Sequence, residues 1–351
     1  MYTKKTYSIF QMVIWTRFET LLFLIIITLS VSAYFFFDLI WLRIPWTPLA
    51  LIGTAVAFVI GFQNNAAYSR IWEARKIWGG IVNTSRTFGV FIQDMVTNEH
   101  NKTPVNETDL QKEIKTLTYR HIAWMTALRH AMREIRQWET SIKHKTNNEW
   151  DIRPPEHDSS LDKDIKPYIS ESDFKYIMSK NNKQTAVLYL QSKHLKFLKE
   201  KGIIWEFSFL ELEGVIQELF SLQGKSERIK NFPYPRQFAT LNHLFMWTFV
   251  LLLPLALVPQ FADIGKEVST YNPFIGEYFI WFTIPFYVIV AWVFHTMERI
   301  GRTGENPFEG TPNDVPISTI ARGIEIDLRQ NLGESDEEIP NQFPSKLNTQ
   351  F

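Results

Sequence analysis

The chain has 351 residues, 37 basic and 37 acidic, with 45% hydrophobic and 15% aromatic side chains. Balanced charge gives no basic surplus with which to neutralise a phosphate backbone, which argues against nucleic-acid binding. The absence of cysteine excludes disulfides, thiolate metal sites and cysteine nucleophiles.

Hydropathy is unevenly distributed along the chain, and the segments are more informative than the average. Lys4, Lys5 and Arg17 precede a run from Leu21 to Leu42 that is apolar apart from Asp38. Trp46 to Phe62 follows after the short break RIP. Each is long enough to cross roughly 30 Å of hydrocarbon at about 1.5 Å per residue. The first run exceeds the apolar core of a signal peptide, and no small-residue cleavage site follows it.

The second span passes without a helix breaker from GTAVAFVIGF into QNNAAYSRIWEARK, a polar and then basic continuation beginning at Gln63. Two stripes at a spacing of four run along it: Thr54, Phe58 and Phe62 on one, Gly53, Ala57 and Gly61 on the next. Small residues let a neighbouring helix approach closely. The aromatic stripe suits a narrow hydrophobic throat if copies assemble around an axis, although such a stripe in a membrane helix more often marks lipid or helix contact. Gln63, Asn64 and Asn65 stand where they can hydrate a passing ion. Arg70, Arg75 and Lys76 either concentrate anions at the inner mouth or anchor the helix end and pair with Glu73.

From about Ile71 to Pro235 the chain is polar and helical in pattern. Thr108 with Gln111 makes a capping box, followed by a seam of Leu110, Ile114, Leu117, His121, Trp124, Leu128, Ala131, Ile135 and Trp138 at steps of four and three. A histidine on such a face is ordinarily a hydrogen-bonded core residue. Loops are expected at Asn98 to Asn106, Lys145 to Asp164 and Lys180 to Lys183. Further helices are expected near Thr185 to Lys201, closing at Gly202, and over about Ile204 to Ile229. Gly224, Lys225 and Ser226 mimic the end of a phosphate loop, but Leu219 occupies the glycine position. His121 and His130 lie on opposite faces of one helix and cannot share a metal. No Ser, His, Asp spacing or H-E-x-x-H supports an enzyme. Asn83, Asn101 and Asn106 begin N-x-S/T triplets that the topology puts in the cytosol.

Phe238 to Phe261 and Tyr278 to Met297 form a second apolar pair, interrupted by Pro254, Pro259 and Pro285. The loop after the first span holds only Arg43, whereas Arg70, Arg75 and Lys76 follow the second span and Arg299 and Arg302 the fourth. Positive-inside bias therefore predicts both termini in the cytoplasm and the chain in the plasma or inner membrane. The organisation expected is an N-terminal segment over 1–20, a membrane hairpin over 21–69, a cytosolic helical domain over 70–235 and a second hairpin over 236–298. A segment packing on the body over 299–332 and a disordered acidic tail over 333–351 complete it.

Three motifs stand in order and at characteristic separations: IGFQNNAAYSRIWEARKIWG at Ile60 to Gly79, GKSERI at Gly224 to Ile229, and ENPF followed by NDVP within Glu305 to Pro316. With two hairpins around a helical insertion, the chain resembles the bestrophin family over roughly residues 5 to 332, in its prokaryotic form. That resemblance implies an all-α membrane protein with four spanning helices per subunit, assembled as a homopentamer around one axial pore. It implies a passive channel for chloride or other small monovalent anions, with no cofactor, in a lipid bilayer. The neck positions of the family fall on Thr54, Phe58 and Phe62, with Thr54 departing from the usual bulky apolar residue. A cytosolic constriction falls on Phe207. The C-terminal motif falls on Asn306, Pro307, Phe308 and Asp314. Animal members bind calcium through an acidic run after this motif; here Glu309, Gly310, Thr311, Pro312 and Asn313 intervene, too few carboxylates for a calcium site. Cation conduction by the same fold and a membrane-tethered scaffold without flux are the open alternatives. A secondary transporter is disfavoured by the scarcity of ionisable residues within the spans.

Overall fold

The chain folds into helices joined by short connections. The computed structural model describes residues 1–37, 39–101, 104–139 and 145–351, so Asp38 and part of the expected Asn98–Asn106 loop lie outside the described residues. In order the helices are α1 (Ile9–Trp15), α2 (Arg17–Phe37), α3 (Trp46–Met95), α4 (Glu107–Arg133), α5 (Lys145–Glu149), α6 (Leu161–Ile165) and α7 (Glu171–Met178). They continue with α8 (Lys183–Glu200), α9 (Glu206–Asn231), α10 (Arg236–Ser269), α11 (Pro273–Tyr278), α12 (Thr283–Gly304) and α13 (Ile317–Asn331). Among the described residues, four helical stretches are long and apolar enough to cross a membrane: Arg17–Phe37, Trp46–Met95, Arg236–Ser269 and Pro273–Gly304. The chain divides into two compact units, one of residues 4–69 and 233–305, the other of residues 1–3, 70–232 and 306–351.

The first unit contains the spans. A reciprocal capping box starts α1, where Ser8 Oγ accepts from the Gln11 amide and Gln11 Oε1 from the Ser8 amide. The chain turns at Thr16, whose Oγ1 accepts from Trp292 Nε1 at 2.9 Å. Its core joins Phe23, Ile27 and Val31 of α2 to Leu49, Val56 and Ile60 of α3, Met246, Val250 and Leu253 of α10, and Tyr287 and Ala291 of α12. Pro254 and Pro259 lie inside α10. Each lacks the amide that would bond the carbonyl four residues back. The structure supplies other donors: Tyr287 Oη donates to Val250 O at 3.1 Å and Ile44 N to Leu255 O at 3.2 Å. In hydrocarbon this matters, because no water is present to satisfy a freed carbonyl.

The second unit is built on Trp78, Ile81 and Phe88 of α3, Leu117, Trp124 and Leu128 of α4, Leu195 and Leu198 of α8, and Leu219 of α9. Asn106 caps α4 by accepting from the Asp109 amide at 2.7 Å, so the helix starts ahead of the Thr108 and Gln111 box expected from sequence. It also ends early, at Arg133, leaving Ile135 exposed. The seam pattern continues to Trp138, but a long-range pairing overrides it. Glu139 meets Lys230 in an ion pair of which both members are 2% exposed, and Arg136 N donates to Glu139 Oε2 at 3.1 Å.

His121 is in the core as expected but is not hydrogen-bonded there. Its ring lies between Phe88 and Trp124 at 4.9 and 5.3 Å, with both nitrogens unpartnered. Gly202, at φ +75°, closes α8 as expected, with Ile203 N donating to Leu198 O and Gly202 N to Lys199 O.

The 333–351 tail departs from the disorder expected of it. Glu334 takes bonds from Tyr119 Oη at 2.6 Å and Arg329 Nε at 2.5 Å and pairs with Lys115 Nζ at 2.8 Å. Arg322 stacks over the Phe343 ring at 4.4 Å, and the Thr319 amide donates to Phe351 O at 2.7 Å. Acidic composition suggested solvation; the cationic groups on α4 and α13 turn that acidity into docking.

Candidate functional site

The long helix α3 has two unlike faces over its apolar half. One is packed: Leu49, Gly53, Val56, Ile60, Gln63 and Ala67 are all buried, at alternating steps of four and three. Gly53 is a point of close approach, since a Cβ added there would meet Phe249 Cε2 at 2.7 Å. The other members of the small stripe behave differently. Ala57 and Gly61 are exposed, and a Cβ at Gly61 would meet nothing within 4 Å. Within the protomer only Gly53 serves helix packing.

Thr54, Phe58 and Phe62 are on the other face. Phe58 is 68% and Phe62 62% exposed, and their rings meet edge to face at 4.9 Å and 80°. Thr54 is exposed, and its Oγ1 donates to Ala50 O at 2.9 Å. Its hydroxyl proton is therefore turned into its own helix, which makes the position less polar than a free threonine.

The polar residues that follow divide in the same way. Gln63 is 1% exposed and does not face an ion path: its Nε2 donates to Glu305 Oε1 at 2.9 Å and its Oε1 accepts from Asn242 Nδ2 at 3.1 Å. Arg236 completes the cluster, donating to Glu305 Oε2 at 2.7 Å. The physical reason is register, because Gln63 continues the packed stripe three residues after Ile60. Asn64 Nδ2 donates to Ile60 O and Met297 O, both at 3.1 Å. Asn65 alone of the three is exposed.

Arg70 reaches from α3 to the end of α9. Its Nη2 donates to Ile229 O and Phe232 O, both at 2.9 Å, covering carbonyls at the C-terminal end of α9. Glu73 pairs with Arg228. Phe207 is 62% exposed in the first turn of α9, with the Trp205 ring edge to face at 4.7 Å.

Asn306, Pro307, Phe308 and Asp314 are all buried. Asp314 Oδ2 accepts from the Gly310 amide at 2.6 Å and the Thr311 amide at 2.8 Å, and Oδ1 from Thr311 Oγ1 at 2.8 Å. Arg133 Nη1 holds Phe308 O at 2.9 Å. Burial by itself works to raise the Asp164 carboxyl, yet bonds from His130 and Ser159 and the Arg129 charge hold it down to about 2.

Nearly the whole chain, residues 3–330, matches the family model described as bacterial/fungal bestrophin protein. This chain belongs to the bestrophin family. The bestrophin is 24% identical over 295 residues to the voltage-dependent anion channel-forming protein YneE of Escherichia coli, covering 84% of this chain and 79% of that one. It is 25% identical over 295 residues to a voltage-dependent anion channel-forming protein of Ralstonia nicotianae, covering 84% and 80%. Its fold matches the crystal structure of a bacterial bestrophin homologue from Klebsiella pneumoniae with a TM-score of 0.71 at 20% identity, covering 91% of this chain and 98% of that one.

The loop that aligns with the calcium clasp of animal bestrophins makes its own contacts within this chain. Both oxygens of Asp314 are committed to donors of their own loop. The Pro312 carbonyl accepts from the Tyr2 amide at 2.6 Å. Glu309 is the only other carboxylate between Asn306 and Asp314, against the roughly six to eight oxygens that calcium takes.

Sequence reasoning missed the Gln63, Asn242, Glu305 and Arg236 cluster. Its signal was present: amides within apolar spans, expensive unless satisfied. It also missed Tyr287, fully buried on α12, for which a tyrosine facing an interior proline was the available clue.

Proposed function

We propose that this bestrophin is a homopentameric channel of the inner membrane, with cytoplasmic termini, that conducts chloride and other small monovalent anions. The observation that carries the reading is the exposed edge-to-face pair Phe58 and Phe62 on the face of α3 that its own protomer leaves bare. Around a fivefold axis, Thr54, Phe58 and Phe62 would line a dry neck, which gates by dewetting. Aromatic ring edges carry partial positive charge and favour a partly dehydrated anion, and no carboxylate lies between Thr54 and Tyr68 to form a cation-selecting ring. The naming of relatives as anion channel-forming proteins supports the same selectivity. Exposed Phe207 is the candidate for a second constriction, and the commitments of Asp314 argue for gating without calcium.

The test is the reversal potential of purified protein in a planar bilayer under a KCl gradient. It is expected near chloride equilibrium and insensitive to calcium chelation; a value near potassium equilibrium would overturn the selectivity. Phe58→Ala and Phe62→Ala are expected to change conductance or relative anion permeability. Unchanged permeation in both would assign the two rings to lipid or to helix packing and remove the neck.

A further inference from the structure

We infer that the Tyr287 hydroxyl fixes α10 at Pro254, behind the pore helix, making Tyr287 a positioning residue for the neck. The inference rests on the reading of Phe58 and Phe62 as pore-lining. Its starting point is a carbonyl without its ladder partner. Pro254 has no amide to give to Val250 O, and its ring crowds that same carbonyl. Tyr287, at 0% exposure, reaches across from α12 and donates Oη to Val250 O at 3.1 Å. The side-chain donor thus takes over from the missing backbone donor at the point where the hydrogen-bond ladder is interrupted.

The neighbouring contacts connect that bond to α3. Phe249 immediately precedes Val250, and its ring occupies the space that a Cβ on Gly53 would need. Gly53 in turn immediately precedes Thr54, the first of the three proposed neck positions. Phe249 is also held from the α12 side, with the Phe294 ring at 4.6 Å. Tyr287 and Phe294 are seven residues apart and so share one face of α12. That face grips α10 at adjacent residues, the carbonyl of one and the ring of the other. The second proline offers an internal contrast. Leu255 O, freed by Pro259, takes the backbone amide of Ile44 at 3.2 Å, so no side chain is needed there.

A tyrosine that only fills space, its hydroxyl bonding whatever carbonyl is near, is the competing account. The two differ in what Pro254 does to the result. Pro254→Ala restores the amide that Val250 O lacks, so removal of the Tyr287 hydroxyl should then have no effect. The experiment compares single-channel open probability of the reconstituted full-length wild type, Tyr287→Phe, Pro254→Ala and the double variant, with Phe58→Ala and Phe62→Ala alongside.

Loss of one restraining hydrogen bond in each subunit is expected to raise open probability about threefold or more, because a loosened hydrophobic constriction wets more readily. The double variant is expected to match Pro254→Ala alone. An unchanged or lowered open probability in Tyr287→Phe, or an equal effect in both backgrounds, would overturn the inference. Should Tyr287→Phe fail to assemble, recovery of the oligomer in the double variant supports the inference and failure of both overturns it. If Phe58→Ala and Phe62→Ala alter permeation while Tyr287→Phe does not, this inference alone falls; if both phenylalanine variants are silent, the neck reading falls first.

Discussion

His121 offers the sharpest thermodynamic test. Its ring is 1% exposed between Phe88 and Trp124, with neither nitrogen hydrogen-bonded, and burial pushes it down to about 3 from an ordinary 6.5. A histidine lowered in the folded state is neutral there while the unfolded chain already binds a proton. Stability is therefore complete above pH 6.5 and declines as pH falls from 6.5 to about 3. Within that window each pH unit removes about 1.4 kcal/mol, so acidification to about pH 5 removes ~2 kcal/mol. For a unit of this size that is a midpoint shift of about 4–8 °C. His121→Leu deletes the titrating group and two unpartnered polar atoms, and should lie within about 1 kcal/mol of wild type at neutral pH. The assay is thermal unfolding of the detergent-solubilised protein by near-ultraviolet circular dichroism at neutral pH and at about pH 5. His194, also lowered chiefly by burial and then by Arg120, contributes equally to both proteins and cancels. If His121→Leu keeps the full acid shift of wild type, His121 does not titrate as a buried neutral group and the reasoning fails.

Other expectations concern buried charge and the docked tail. Glu139→Gln would leave Lys230 buried without a counter-charge, costing about 3–5 kcal/mol, and a Glu139→Gln, Lys230→Met double variant should recover most of it in the same melts. Asp314→Ala would strip the acceptor from Gly310 and Thr311, so amide exchange across 306–316 should speed while the core of α4 stays protected. Burial works to raise the Glu334 carboxyl, but bonds from Lys115, Tyr119 and Arg329 hold it down to about 2. A depressed carboxylate stabilises above its ordinary value of 4.5 and loses that contribution as pH falls toward 2. Protection of 333–351 relative to the intrinsic exchange rate should therefore fall in that window in wild type, whereas Glu334→Gln should show little protection at every pH.

The four spans were legible because hydrocarbon thickness imposes a length and the chain has four apolar runs that meet it. The passage of the second span into a polar helix was equally legible, since Pro48 stands in the first turn, where proline is tolerated, and no proline follows it before Met95. Where the sequence misled, a distant partner decided. The seam beyond Arg133 looks helical until Lys230 claims Glu139, and the tail looks solvated until Lys115, Tyr119 and Arg329 claim Glu334. His121 fell on the right face, but no pattern of spacing tells whether a ring nitrogen finds a partner. Gln63 is different, because the alternating steps Leu49, Gly53, Val56, Ile60, Gln63, Ala67 are written in the sequence and already assign it to the packed face.

That register separates two kinds of experiment on one helix. A substitution on the packed stripe acts through the protomer: Gln63→Leu would take the Gln63 acceptor from Asn242 Nδ2 and the Gln63 donor from Glu305, in surroundings where lost polar contacts are costly. Its effect belongs in assembly and thermal stability. A substitution at Phe58 or Phe62 removes side chains that bury little within the protomer, so protomer folding should be nearly untouched and permeation should carry the change. The two outcomes are linked only where the faces communicate, and Gly53 is one such place, buried against Phe249 and adjacent to Thr54. A bulkier residue at Gly53 must displace the Phe249 ring, which Phe294 backs from the other side, so it alone among these positions should disturb assembly and permeation together. Were Gly53→Ala to leave both unchanged, the close approach of Phe249 would have no mechanical consequence for the neck.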